Sequence, residues 1–284
     1  MRLAACAAFA IASSFPGWAD TLENEWVPIR LEAGIILADV SVNGGDPVPF
    51  VVDSGATETV LTPPAARAAG VRARKLFARQ EVGRVDSLRV GDAALEDLEV
   101  RIVDPPQALP LRLDKGIDYR GFLGYTFLSR FAVTIDYRRA RMRLAPDPAS
   151  GVAIDGSVPM TVRDGLVYVD AKVDGKGPLQ FLIDTGSAEV LLLPRVAGFF
   201  NMRSHASDRY PGVRFGKAKS ISVGSATVTD VPLLIHRLER EGHARLDYRG
   251  ILGTPFLSKH CVTLDYKRCR LALEPHGEPE RMYP

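Results

Sequence analysis

The chain has 284 residues, of which 46% are hydrophobic and 25% charged. That is the composition of an ordinary folded protein and excludes a largely disordered one. Lys and Arg number 36 and Asp and Glu 34, so charge supplies no reason to expect a nucleic acid or an anionic membrane as partner.

The first residues read as an export signal. Arg2 precedes the short apolar run LAACAAFAIASS, Leu3 to Ser14, and Gly17-Trp18-Ala19 places small residues where a signal peptidase cuts. Cleavage is expected after Ala19, removing residues 1–19. LAAC at residues 3–6 looks like a lipoprotein box, but it comes before any hydrophobic region has formed. The run is shorter than the roughly 20 apolar residues of a membrane span, and no later segment supplies one. The expectation is an exported protein, periplasmic or secreted, with no membrane span.

From Val27 the chain reads mainly as strand. GIILADVSV is rich in aliphatic and β-branched residues, Asn43-Gly44-Gly45 offers a hairpin turn, and VPFVV runs from that turn into Asp53. Thr62 before Pro63-Pro64, with Gly70 beyond, predicts a short capped helix. DYRGFLGYTFLSRFAVTIDYRRARMRL, Asp118 to Leu144, ends in a second hairpin around Asp136-Tyr137, and APDPASGVAIDG, Ala145 to Gly156, has the composition of a linker.

The chain then repeats itself. VPMTVRDGLVYVDAKVDGKGPLQFLIDTGSAEVLLLPRVA begins at Val158, 131 residues after its counterpart at Val27, and aligns without a gap. DYRGILGTPFLSKHCVTLDYKRCRLAL, from Asp247, follows its counterpart by 129 residues. The middles diverge, although SISVGSATVTD from Ser220 echoes SLRVGDAALED from Ser87. The chain is a tandem duplication, read as units 20–148 and 149–284.

Cys261 and Cys269 share one predicted hairpin that turns near Tyr266-Lys267. Cys261 should face a residue near Leu273, an offset of about four residues at ~3.3 Å each from Cys269, beyond disulfide reach. Two free, half-buried thiols are expected. The arginines of DYRRARMR and DYKRCR fall at hairpin turns and read as solvated charges. His205, His236, His243, His260 and His276 show no metal-ligand spacing, and there is no G-x-S-x-G elbow or phosphate loop. Neither metal nor cofactor is expected.

The apolar run into Asp53 breaks abruptly on Asp-Ser-Gly, and the run into Asp184 on Asp-Thr-Gly. A carboxylate is costly to bury there. Gly55 and Gly186 offer backbone angles closed to other residues, so that amides can turn towards the acid, and Ser54 and Thr185 add hydroxyls. One such loop could simply end a strand. Two, at equivalent positions of a duplicated chain, should meet at a pseudo-two-fold axis. Two carboxyl groups brought together cannot both ionise and so share one proton. One then serves as base towards water and the other as acid towards a carbonyl.

DSGA at 53–56 and DTGS at 184–187, followed by FLG at 122–124 and ILG at 251–253, resemble the active-site motifs of aspartic proteases. The short units with their DY hairpin tails are most similar to retropepsin-like domains of bacterial aspartyl proteases, and two in one chain resemble the two-lobed pepsins. The resemblance spans nearly all of the chain after residue 19. It implies an all-β fold of two β-barrel units with short helices, related by a pseudo-two-fold axis and working as a monomer. It implies Asp53 and Asp184 as a water-activating dyad, Ser54 and Thr185 locking the loops together, Gly55 and Gly186 permitting close approach, and Gly124 and Gly253 lying behind. Ala56 resembles retropepsins and Ser187 pepsins, and a hydroxyl there would favour ionised Asp184. A flap is implied within Leu76 to Val85 and Arg209 to Lys217, where Tyr210 is either a substrate contact or an ordinary surface residue. The function implied is an aspartic endopeptidase acting on a peptide or protein. The alternatives are a non-catalytic peptide-binding protein on the same scaffold and a hydrolase of another exported substrate.

Overall fold

The structure is a computed structural model describing residues 25–76, 81–104, 116–146, 156–236 and 248–276. The expected export signal and most of the linker lie outside the described residues.

Unit one begins with β1 (Val27–Glu32), β2 (Ile35–Val42) and β3 (Val48–Val52). The β2–β3 hairpin turns on Asn43 (φ 52) and Gly44 (φ 75), the left-handed pair whose twist matches antiparallel strands. Asp174 and Gly175 repeat it at φ 51 and 74. After the Asp53 loop come β4 (Val60–Leu61) and α1 (Pro63–Ala68). The Thr62 hydroxyl accepts from the Ala65 N–H at 3.3 Å, the cap predicted for that helix. Next are β5 (Arg74–Lys75), β6 (Glu81–Val90), β7 (Ala93–Ile102), β8 (Gly121–Leu123), the one-turn helix α2 (Tyr125–Leu128), β9 (Ala132–Asp136) and β10 (Arg141–Ala145).

Six of these strands, in the order β2-β3-β8-β4-β7-β6, close into a barrel through the β2–β6 pairing, where Val42 faces Leu88. Closure leaves these six without an open edge. β8 lies between β3, to which it is parallel, and β4, to which it is antiparallel. That crossover brings the end of β8 behind the Asp53 loop. Val52, Leu61 and Leu123 are wholly buried there.

Unit two repeats the plan with β11 (Val158–Pro159), β12 (Thr161–Arg163), β13 (Leu166–Val173), β14 (Lys176–Ile183), β15 (Leu191–Leu192), α3 (Pro194–Phe199), β16 (Ser204–Ala206), β17 (Arg214–Val223), β18 (Ala226–Ile235), β19 (Gly250–Leu252), α4 (Thr254–Leu257), β20 (His260–Asp265) and β21 (Arg270–Pro275). Its barrel runs β13-β14-β19-β15-β18-β17 and closes through β13–β17. With 54% strand and 9% helix among the described residues, the fold is the expected all-β one.

The barrels are joined by a sheet to which each unit gives three strands, in the order β11-β21-β20-β9-β10-β1. At its centre β9 and β20 are antiparallel, with Thr134 opposite Thr263 and their hydroxyl oxygens 3.0 Å apart. These two residues are equivalents 129 positions apart. A residue that faces its own counterpart marks the pseudo-two-fold axis, so the axis passes between them. Phe50, Phe127, Phe181 and Phe256 are fully buried in one continuous core that spans both barrels and the sheet. Each such ring contributes about 1.5–3 kcal/mol of burial.

The hairpin arginines are not idle solvated charges. Asp136 accepts from the Arg139 N–H and guanidinium, each at 3.1 Å, and from Arg141 Nε at 3.3 Å. Burial alone would raise the Asp136 carboxyl, but these bonds outweigh it and hold the group below the usual carboxylate range. Arg141 and Arg143 also stack over Trp26, at 4.1 and 5.2 Å from the ring. Turn position alone had suggested solvent, whereas a buried acceptor in the same turn decides otherwise. Cys261 faces Glu274, one residue beyond the expected position. Neither Cys261 nor Cys269 is in a disulfide, and burial pushes the Cys261 thiol up to about 11.

Candidate active site

β3 and β14 each end on their aspartate at the axis. The Asp53 N–H donates to Leu123 O at 3.0 Å and the Asp184 N–H to Leu252 O at 3.1 Å. Each loop then turns back so that the Gly55 N–H donates to Asp53 Oδ1 at 2.8 Å and the Gly186 N–H to Asp184 Oδ1 at 3.0 Å. Local backbone thus supplies each carboxyl group with one donor.

The second residue of each motif reaches across the axis. Ser54 Oγ donates to Ile183 O at 2.9 Å, and Thr185 Oγ1 donates to Val52 O at 2.8 Å. In return the Ser54 N–H donates to Thr185 Oγ1 at 3.0 Å, and the Thr185 N–H donates to Ser54 Oγ at 3.1 Å. Four hydrogen bonds therefore interlock two buried hydroxyls with the opposite strand, at 1% and 0% exposure. Each is worth about 1 kcal/mol net in a dry setting, and a partner left unmade there costs more. The expected lock is present in both directions.

The glycines act through space rather than through unusual backbone angles. A Cβ placed on Gly55 would lie 2.5 Å from Asp184 Cγ, and one on Gly186 would lie 2.5 Å from Asp53 Cγ. Neither residue has a positive φ. Any side chain would drive the opposite carboxyl away, so each acid rests on the other unit's glycine. Gly124 and Gly253 sit behind the loops, where a Cβ would strike the carbonyls of Glu58 and of Glu189 respectively. The Tyr125 N–H donates to Ala56 O at 2.8 Å, and the Thr254 N–H to Ser187 O at 2.9 Å.

Ser187 does not do what was expected of it. Its hydroxyl donates to Glu189 O at 3.0 Å and accepts from the Glu189 N–H at 3.3 Å. The proton foreseen for Asp184 is committed to that carbonyl, because a hydroxyl has only one to give. Asp184 is also the more buried acid, at 7% exposure against a half-buried Asp53.

Further cross-axis contacts were not visible in the sequence. Thr254 Oγ1 donates to Gly34 O at 2.7 Å. Ala188, next to Ser187, packs into unit one's cluster of Ile35, Leu37 and Val51. The β16–β17 pairing places a hairpin tip at residues 207–213, and β5 pairs antiparallel with β6. Tyr210 lies at the β16–β17 tip, packed against a cluster that includes Leu166, Tyr168 and Val213. Residues 77–80 of the first expected flap are outside the described residues. Among the described residues, no group of three His, Cys, Asp or Glu side chains could hold a metal ion, and no helix is long and apolar enough to cross a membrane.

Comparison with solved structures shows the fold. An aspartic proteinase from Irpex lacteus superposes with a TM-score of 0.56 at 11% identity, covering 90% of this chain and 98% of that one. The basic 7S globulin from soybean does so with a TM-score of 0.53 at 12% identity, covering 88% and 94%. No curated protein matches the sequence. The profile of the aspartyl protease family matches residues 38–127 and again 169–256, one copy on each barrel and each spanning one of the two interlocked loops; the chain belongs to the aspartyl protease family.

Proposed function

We propose that the protein is an aspartic endopeptidase that hydrolyses peptide bonds with a water activated by Asp53 and Asp184. The observation that carries this reading is the reciprocal seating of the two acids, each against the other unit's glycine, within a four-bond lock. In that arrangement the pair holds one proton. The ionised carboxyl takes a proton from water as the water oxygen attacks the peptide carbon, while the neutral carboxyl gives its proton to the carbonyl oxygen. The tetrahedral intermediate collapses as the C–N bond breaks. The nitrogen takes the proton that came from water, and the carbonyl oxygen returns the other to its carboxyl. The β5–β6 and β16–β17 hairpins close over the substrate, with Tyr210 at one tip, and exclude water. The protein acts as an exported monomer, its N-terminal 19 residues being the export signal.

The test uses protein expressed without residues 1–19 and a mixed peptide library from acid to neutral pH. Asp53→Asn and Asp184→Asn should each abolish cleavage, and a wild-type rate from either sinks the dyad. If the unmutated protein binds peptides but never cuts them, it is a peptide-binding protein on the same scaffold.

A further inference from the structure

Two tyrosines stand out by what they lack. Tyr137 and Tyr266 directly follow the β9 and β20 strands at equivalent positions, and they are 6% and 7% exposed. Each hydroxyl oxygen is buried without a hydrogen-bond partner among the described residues. A buried hydroxyl in that state is costly, and the same ring without the oxygen would fill the same space at no such cost. Phenylalanine is the side chain that packing alone would choose. Here the costly choice is made twice, once on each side of the axis.

Both tyrosines belong to the core beneath the active-site loops. The Tyr266 ring meets the Tyr125 ring edge-on, with centroids 5.8 Å apart at 70°. The Tyr125 N–H is in turn bonded to Ala56 O of the Asp53 loop. Tyr266, from unit two, is thereby linked through Tyr125 to the loop that carries the acid of unit one. Tyr137, from unit one, is its counterpart 129 positions earlier and belongs to the same core. We propose that Tyr137 and Tyr266 are positioning residues of the dyad, each presenting a free, rotatable hydroxyl dipole to the other unit's aspartate, Tyr137 to Asp184 and Tyr266 to Asp53.

The electrostatics agree with that crossed pairing. Burial pushes the Tyr137 hydroxyl far up, and the charge of Asp184 adds to it. Burial does the same for Tyr266, where the charge of Asp53 and then the neighbouring Tyr125 add to it. Those are the titratable groups that act on the two hydroxyls. Both phenols stay protonated throughout the working range of an aspartic dyad and serve as dipoles rather than acids. A rotatable O–H turns its proton towards the nearest negative charge, and in low dielectric that dipole favours the ionised carboxyl. Removing it raises the proton affinity of the pair.

This inference rests on the dyad reading, so its test includes a readout that needs no turnover. Carboxyl carbons of Asp53 and Asp184 are followed by 13C NMR titration in the unmutated protein, Tyr137→Phe and Tyr266→Phe. Phenylalanine keeps the ring, and each variant tests its own side. The acidic midpoint of the dyad should move up by about half a pH unit or more in each variant. The acid limb of the peptide-cleavage profile should follow it, with kcat changing more than KM. Midpoints unmoved in both variants, with melting temperature unchanged or raised, would mean that the hydroxyls are packing alone and overturn the proposal. If the midpoints move in a protein that cleaves no peptide, the proposed function fails and the tyrosine pairing stands.

Discussion

The two Asp-Ser/Thr-Gly loops hold the same atoms in the same places by different means. Across the axis the bonds are mirrored almost to the tenth of an ångström. Behind each loop they are not. In unit one Thr126 Oγ1 accepts from the Thr59 N–H and donates to Thr59 Oγ1, both at 2.9 Å. In unit two those positions are Pro255 and Val190, and Ser187 takes over by bracing Glu189 from within the loop. Tyr125 in unit one is matched by Thr254, which reaches across to Gly34. Backbone and lock hold the chemistry symmetric, while the supporting side chains are free to differ as long as each buried donor finds an acceptor.

The largest effect should come from breaking what the halves share. Gly55→Ala and Gly186→Ala put a methyl group into the opposite carboxyl, and each should lower kcat/KM by at least about 10²-fold, since small displacements of reacting groups have that cost. Near-equal losses would uphold the symmetric site. Full activity in either variant would show that the acids do not rest on these glycines.

A smaller effect should separate the hairpins. Asp136 holds both Arg139 and Arg141, whereas Asp265 holds Arg268, and Arg270 at the Arg141 position turns to Ser157. Asp136→Asn should cost about 1–3 kcal/mol in urea unfolding at neutral pH, more than Asp265→Asn. Because the Asp136 carboxyl is held low in the fold, its contribution is full above its unfolded value near pH 4 and fades as pH falls through the lowered one. The gap between wild type and Asp136→Asn should therefore close in acid. A gap that widens there would contradict the assignment.

The smallest effects test the braces. Thr126→Ala should lower stability by about 1 kcal/mol by leaving the Thr59 N–H unpaired. Ser187→Ala should leave the acid limb of the pH–activity profile where it is, because its hydroxyl serves Glu189. A shift on that limb would restore the role first expected of Ser187.

Much of this was legible in the sequence wherever a local rule governed it. The repeat gave the two units, Asn43-Gly44 and Asp174-Gly175 the hairpin turns, Thr62-Pro63 the helix start, and the doubled Asp-Ser/Thr-Gly two equivalent loops, which interlock. Reading failed where the partner was remote or the choice was rotational. Ser187 has one proton and two plausible acceptors, and only the fold says that Glu189 O receives it. Gly55 read as a backbone requirement because a sequence does not show Asp184 standing 2.5 Å from its missing Cβ. The arginines of the DY hairpins read as solvated because the burial of Asp136 depends on strands from both units. The tyrosines of those hairpins stand in plain view at matching positions, but their meaning lies in hydroxyls without a partner among the described residues.

The pair at the centre of the shared sheet carries a last consequence. A hydrogen bond between Thr134 and Thr263 cannot obey the axis on which it lies, for one oxygen must donate and the other accept. A half-turn can relate the heavy atoms, but never the protons. In a protein made from two identical chains that choice would be made at random in every molecule. In a single covalent chain the two threonines are distinct residues with different sequence neighbours, Val133 and Ile135 on one side and Val262 and Leu264 on the other, so the choice can be the same in every molecule.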